Sequence, residues 1–128
     1  MHRSDVEIWL EGYTTAWASD NPADIAALFT GDATYSPFPW PREEGDWQGR
    51  DEIVEKWIER GDSKIGWRFE HQVVAVEGPV AVVEGRTEYD RGEGEPWAEA
   101  YANIFVIEFA EDGRARSFRE WWVERPTS

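Results

Sequence analysis

The sequence predicts one α+β domain in which a curved antiparallel sheet wraps around three N-terminal helices. Apolar residues repeat at helical spacing through the first half of the chain, and from Trp67 onward the period changes to two. Helices followed by a run of antiparallel strands are typical of this fold class. A chain of 128 residues, 41% of them hydrophobic, is long enough to close one core, so we expect a single domain over residues 1–128.

The first helix has a start signal and an apolar face. Ser4 and Glu7 have the spacing of a capping box, which predicts that the helix begins there. Five apolar or aromatic residues then recur three or four positions apart, which indicates a face turned toward a core. They are Val6, Trp9, Leu10, Tyr13 and Trp17.

Two shorter helices are predicted next. Asn21 and Pro22 are suited to the N-cap and first position of a second helix, and Gly31 is suited to its end. A third helix is expected to open at 49–53. Between them, the three prolines within 37–41 exclude both a helix interior and a central strand, which leaves a rigid loop.

Four long strands are predicted after the helices, at 67–76, 80–89, 97–109 and 114–123, with a brief strand before them at 33–36. Alternation along the third long strand places Asn103 in a row of apolar side chains. A buried amide must find a hydrogen-bonding partner or a ligand. The same alternation assigns His71 to the inner row of the first long strand.

The charge of the chain excludes several kinds of partner. Thirteen basic and 27 acidic residues give a net charge of -14, which would repel nucleic acid and anionic membrane surfaces. The sequence contains no cysteine, which excludes disulfides and thiolate metal sites, and its two histidines lie far apart. We therefore expect no metal site. No Gly-rich fingerprint follows a strand, so no nucleotide cofactor is expected. The N-terminal residues are acidic and amphipathic, so we expect no signal segment and a cytoplasmic protein.

The last predicted hairpin supplies a family resemblance. The segment from Tyr101 to Trp122, which ends in Ser-Phe-Arg-Glu-Trp-Trp, resembles the last hairpin of the SnoaL-like branch of the nuclear transport factor 2-like superfamily. The order of the predicted elements is also similar, and the resemblance covers about residues 4–125. It implies a cone-shaped sheet, closed on one side by helices, with a pocket at one end.

Ketosteroid isomerase, a member of this superfamily, gives more specific expectations. Tyr13 matches a tyrosine that donates a hydrogen bond to the substrate oxyanion, but tyrosines at such positions are more often packed core residues with the hydroxyl at the rim. The isomerase's aspartate base falls at Ser36 and Pro37, and its second oxyanion donor falls near Phe105, one step along the face from Asn103. The same steroid chemistry with the same residues is therefore not expected.

Four residues form the predicted catalytic set, namely His71, Glu120, Tyr13 and Asn103. On the last strand alternation alone leaves the inner face open, and the resemblance favours Phe118, Glu120 and Trp122 as inward. A histidine with a nearby carboxylate is a workable general base, while a tyrosine and an amide can polarise a carbonyl. The predicted wall for a hydrophobic, partly oxygenated substrate consists of Trp17, Trp40, Phe105, Trp122, Phe118 and Thr87.

Three functions remain open from the sequence. The first is a cofactor-independent enzyme that performs isomerisation, cyclisation, dehydration or hydration of a hydrophobic small molecule. The second is a binding module that uses the same cavity without chemistry, in which a His–Glu pair would only join strands. The third is a domain that serves to dimerise. Trp121 would lie on the outer sheet face if Trp122 points inward, so a homodimer through that face is expected.

Overall fold

The computed structural model describes residues 1–37, 39, 45–60, 67–89 and 99–126. These residues form three helices, α1 (Arg3–Ser19), α2 (Pro22–Ala26) and α3 (Arg50–Arg60). They also form six strands, which are β1 (Phe29–Ser36), β2 (Trp47–Gln48), β3 (Trp67–Glu77), β4 (Val80–Tyr89), β5 (Glu99–Phe109) and β6 (Ala115–Glu124). The predicted α+β class is confirmed. None of the helices in the described ranges is long and apolar enough to cross a membrane.

Helix α1 starts earlier than predicted. Its N-cap is His2, whose backbone N–H donates to Asp5 Oδ2 at 2.8 Å, so Ser4 lies inside the first turn and its assignment as the cap was wrong. The helix ends before Asp20, which takes the left-handed conformation with φ of 51°. The predicted apolar face is confirmed for Val6, Trp9, Leu10 and Tyr13, and Trp17 packs half-buried against the same core.

The segment after α1 shows one correct and one wrong prediction. Asn21 caps α2, because its Oδ1 accepts from the backbone N–H of Ala23 at 2.9 Å. The helix ends at Ala26, however, and Gly31 lies within β1 instead of terminating a helix. Strand β1 begins at Phe29 because that side chain is fully buried in the core, where it outweighs the local turn signal of the glycine.

The six strands form one open sheet in the order β2-β1-β6-β5-β4-β3. Strands β3 to β6 are joined as consecutive antiparallel pairs, as expected, while β1 pairs parallel to β6. The parallel pair follows from the chain's path, since α3 and the long antiparallel strands intervene before β6 returns beside β1. Strand β2, which the sequence did not predict, pairs with β1 over two residues.

The register of the strands confirms the predicted sorting of side chains. Asn103 lies opposite Gly85 on one side and Trp122 on the other, and Phe105 lies opposite Val83 and Glu120. Directly opposed residues share a face, so these rows all belong to the inner face, which α1 covers. A register shift between Val73 and Ala75 marks a bulge in β3, beyond the residues used in this sorting.

Aromatic rings hold α1 to the inner face of the sheet. Tyr13 lies 5.6 Å from Phe105 and 5.8 Å from Phe118 between ring centroids, and Trp9 lies 5.9 Å from Phe118. The indole N–H of Trp9 donates to the backbone oxygen of Leu28 at 2.9 Å. The cluster therefore satisfies its buried polar group while it fills the interior with rings.

Gly85 makes room for one of these rings. A Cβ at this position would lie 2.8 Å from Cε1 and 3.3 Å from Cζ of Phe69. The Phe69 ring therefore lies directly over the backbone of β4, and from there it stacks on Phe105 at 5.9 Å and on His71 at 5.4 Å.

We expect Gly85→Ala to destabilise the fold by about 1–3 kcal/mol, because the new methyl group must displace the Phe69 ring from a packed layer. Urea unfolding followed by tryptophan fluorescence measures the change. Gly31→Ala is the matched control, since nothing lies within 4 Å of its Cβ position. Equal stability of the two variants would contradict the packing described for Phe69.

Candidate functional site

A chain of side-chain hydrogen bonds crosses the inner face of the sheet. Thr87 Oγ1 donates to Asn103 Oδ1 at 3.0 Å, and Asn103 Nδ2 donates to Glu120 Oε2 at 2.8 Å. A carboxylate only accepts, so the amide nitrogen must face Glu120 and the amide oxygen must face the threonine hydroxyl. The two bonds therefore fix the orientation of Asn103. We call these three residues the polar chain.

Strand register produces this alignment. Asn103 is directly opposite Gly85 and Trp122, so Thr87 and Glu120 are each its diagonal neighbours, two residues from the opposed position on β4 and β6. Diagonal neighbours on one face are within reach of medium-length side chains. The polar chain thus runs obliquely over three strands, and a one-residue slip in either pairing would remove it.

The polar chain has two buried members and one partly exposed end. The side chain of Asn103 is 4% exposed, Thr87 is also buried, and Glu120 is partly exposed. Beyond Glu120 on the same face of β6, Trp122 is 41% exposed. The carboxylate therefore stands between the buried residues of the inner face and the exposed end of that face at Trp122, which we call its open end. Among the described residues, no buried side-chain nitrogen or oxygen lacks a hydrogen-bond partner.

Tyr13 approaches this boundary from the helix. Its ring is buried and packs on Phe105 and Phe118, which lie on the same face as Glu120 on β5 and β6. It also contacts Trp57 of α3 at 5.6 Å. The ring is thus part of the core, and any part that Tyr13 takes in chemistry depends on its hydroxyl alone.

His71 lies on the same face but away from the carboxylate. It is exposed, and its imidazole stacks on Phe69. Strands β4 and β5 separate β3 from β6, which corresponds to roughly 14 Å across three strand spacings. The structure therefore brings Asn103 to Glu120 but does not bring the histidine to it.

The predicted wall residues have different environments. Phe105 and Phe118 are fully buried in the core, and Trp17 packs at its margin. Trp122 is exposed at the open end and meets Tyr101 edge-on at 5.5 Å between ring centroids. Trp40 lies outside the described residues. Within the described ranges, no group of three or more His, Cys, Asp or Glu side chains could hold a metal ion.

Sequence reasoning missed two features of the site. Thr87 was assigned to the wall for a ligand, whereas its hydroxyl is used to orient Asn103. Alternation indicates that both residues are inward, but it does not give the register of β4 against β5, which is what places them on a diagonal. The other feature is the stack of Tyr35 on Phe118 and Trp47, each at 4.6 Å, in which Trp47 comes from the unpredicted strand β2.

The chain belongs to the family of SnoaL-like domains, whose pattern matches residues 10–118. This match and the solved structures below confirm the resemblance to the nuclear transport factor 2-like superfamily. Members of this fold include isomerases, cyclases and epoxide hydrolases. A comparison with curated proteins gave no significant match.

Several solved structures have the same fold. A protein of unknown function with a cystatin-like fold from Methylobium petroleophilum PM1 has a TM-score of 0.71 at 18% identity, over 100% of this chain and 81% of that one. A ketosteroid isomerase-like protein from Erwinia carotovora atroseptica SCRI1043 has a TM-score of 0.66 at 19% identity, over 96% of both chains. An M. tuberculosis LEH-like epoxide hydrolase has a TM-score of 0.65 at 14% identity, over 94% and 84%. Identities this low support the fold and not a shared reaction.

The contact between Asn103 and Glu120 can be tested through the pH dependence of stability. Asn103→Asp would place two carboxyl groups within hydrogen-bonding distance, which raises the pKa of the pair in the folded state. The folded variant then binds more protons than the unfolded chain, so its stability falls as pH rises. We expect urea unfolding to show a loss of about 1–3 kcal/mol relative to wild type between about pH 4 and pH 8.

Asn21→Asp is the control for this experiment, because the same change at the exposed cap of α2 keeps a good N-cap residue. It should not lower stability as pH rises. The described contact would be refuted if the Asn103 variant followed the wild-type pH dependence.

Proposed function

We propose that the protein is a cofactor-independent enzyme in which Glu120 transfers a proton to and from a hydrophobic, oxygenated small molecule. The observation that carries the proposal is the polar chain, which ends in a carboxylate at the open end of the inner face. The N–H donated by Asn103 stabilises the ionised carboxylate, so Glu120 would begin a cycle as proton acceptor.

The surroundings of Glu120 support this role. The carboxylate is partly shielded by the face it stands on, where Phe105 and Phe118 are fully buried. A fixed carboxylate in a partly dry setting abstracts a proton more readily than one that water surrounds. Trp122, beside it on β6, offers a flat apolar surface for the substrate.

The remaining members of the catalytic set fit the proposal in separate roles. Asn103 orients Glu120, and the Tyr13 hydroxyl would stabilise negative charge on a substrate oxygen. His71 would act on the substrate and not on Glu120, since roughly 14 Å of sheet separates their strands. The reaction class would be isomerisation, cyclisation, dehydration or hydration. The SnoaL-like family supports that range, since members of the fold include isomerases, cyclases and epoxide hydrolases.

A screen for proton transfer tests the proposal without a known substrate. Hydrophobic ketones incubated with the protein in deuterated water should exchange their α-protons, as measured by NMR, and hydrophobic epoxides should be hydrated. Glu120→Gln keeps an acceptor for the Asn103 N–H but removes the base, so we expect the rate to fall about 10²–10⁴-fold.

Glu55→Gln provides the control, since Glu55 is exposed on α3 and its loss should leave the rate unchanged. Retention of the rate in Glu120→Gln would exclude Glu120 as the base. Failure of every ketone and epoxide to react, despite tight binding of one of them, would favour a non-catalytic binding module.

We also propose that a second copy of the chain covers the outer face of the sheet. Ile104 lies opposite Trp121 there and Ala102 opposite Val123, and the three large side chains are 38%, 41% and 68% exposed. Arg119 lies over the Trp121 ring at 5.3 Å, while Glu84 lies opposite Ile104 on the neighbouring strand. An apolar centre with flanking charges of both signs is self-complementary under two-fold symmetry.

The dimer can be tested by mass in solution. We expect light scattering at micromolar concentration to give twice the chain mass of 14.8 kDa for the wild type, and one chain mass for Trp121→Glu. Ile58→Glu, which places the same charge at an exposed position of α3, should remain dimeric. A monomeric wild type would contradict this interface.

A further inference from the structure

A groove lies at the end of the sheet opposite to the polar chain. Its volume is about 790 Å³, and it runs beside the two turns that join β3 to β4 and β5 to β6. One wall is a stripe of α1, and the other consists of Gly78, Pro79 and the segment 110–114. The stripe contains Asp5, Ile8, Gly12 and Thr15, which recur at helical spacing on one side of the helix.

The floor of the groove is apolar, and the backbone oxygen of Leu28 and the backbone N–H of Phe109 already have hydrogen-bond partners. Trp9, Leu28 and Phe109 form it with buried side chains. The backbone oxygen of Leu28 accepts from the Trp9 indole and from the backbone N–H of Ala115, and the N–H of Phe109 donates to Pro79. A ligand would therefore be recognised through apolar contact and charge and not by pairing with this backbone.

Ile8 is not explained by the packing of the domain. It is 66% exposed and lies off the buried stripe of α1. Gly12, one turn further along α1, has no side chain that would fill the groove. A Cβ at this position would lie 3.2 Å from Leu28 Cδ2. The helix thus presents an isoleucine on the wall of the groove, next to the apolar floor that Trp9, Leu28 and Phe109 form.

The rim of the groove is acidic. Asp5, Asp24, Glu111 and Asp112 line it together with Met1 and Arg114, and Arg114 lies 3.2 Å from Asp112. The whole chain carries a net charge of -14, so a second copy would bring further negative charge to this rim. A positively charged occupant is favoured, because its charge is opposite to that of the rim.

We propose that this groove binds an extended, basic segment of a partner protein, with an apolar side chain on the floor beside Ile8 and lysine or arginine side chains at the acidic rim. The groove is open along one side, whereas small-molecule sites bury most of their ligand. An extended peptide needs a surface for alternate side chains and leaves its other face in water. The proposal is independent of the chemistry assigned to Glu120.

Fluorescence anisotropy with a labelled heptapeptide that alternates lysine with leucine tests the proposal. Ile8→Ser should raise the Kd about tenfold or more, because the lost apolar contact is worth about 1.4 kcal/mol or more. Ile58→Ser makes the same change at an exposed position of α3, 40% exposed, and should leave the Kd unchanged. Glu111→Gln should weaken binding, whereas Glu55→Gln on α3 should not.

Two control peptides complete the experiment. Replacement of every lysine by glutamate, or of every leucine by serine, should abolish binding, and added salt should weaken binding of the original peptide. The proposal is overturned if the peptide does not bind, or if Ile8→Ser and Ile58→Ser bind equally, which would indicate adsorption to an acidic surface. Binding of a lipophilic amine in the groove without binding of the peptide would also overturn it.

Discussion

The contact of α1 with the inner face of the sheet is the interaction on which the rest of the structure depends. Trp9 and Tyr13 of α1 pack against Phe105 of β5 and Phe118 of β6, and these rings fill the space between the helix and the two strands. Because protein interiors are close-packed, the helix cannot shift along the sheet without opening cavities around every ring. The position of α1 in turn determines where the interior closes, and so where the inner face becomes accessible.

The polar chain is located where the closed interior ends and the inner face becomes accessible. An amide deeper in the ring cluster would lack partners, and one further out would exchange them with water. Asn103 is buried but has both ends of its amide used by Thr87 and Glu120, so its cost of burial is offset by two hydrogen bonds. The charge of the polar chain is on the carboxylate of Glu120, which is partly exposed and therefore reaches solvent. This arrangement gives a rigid acidic group without a buried unpaired charge.

The sequence was sufficient to predict the fold class and the sorting of side chains. Strand alternation places Asn103 and Phe105 on one face. The inward position of Glu120 followed from the family resemblance, and the register of β5 and β6 agrees with it. It was not sufficient to show that His71 is exposed and distant from Glu120, because alternation specifies a face but not the position along it. The cap at His2 and the strand beginning at Phe29 were missed for another reason, since tertiary packing outweighs local signals at element ends.

The two ends of the domain differ in the way their polar groups are used, and this difference argues for separate tasks. At the open end, Thr87 and Asn103 hold one carboxylate in a fixed position, which is the requirement of chemistry on a small molecule. In the groove at the other end, Asp5 accepts from the backbone of His2 and Asp112 pairs with Arg114, while the exposed Ile8 adds apolar surface. Such a surface lacks the means to orient a reacting atom, but it offers area and charge. The α1 helix takes part in both regions through opposite sides, Tyr13 toward the sheet and Ile8 toward the groove, so a partner bound in the groove would contact the element that closes the interior.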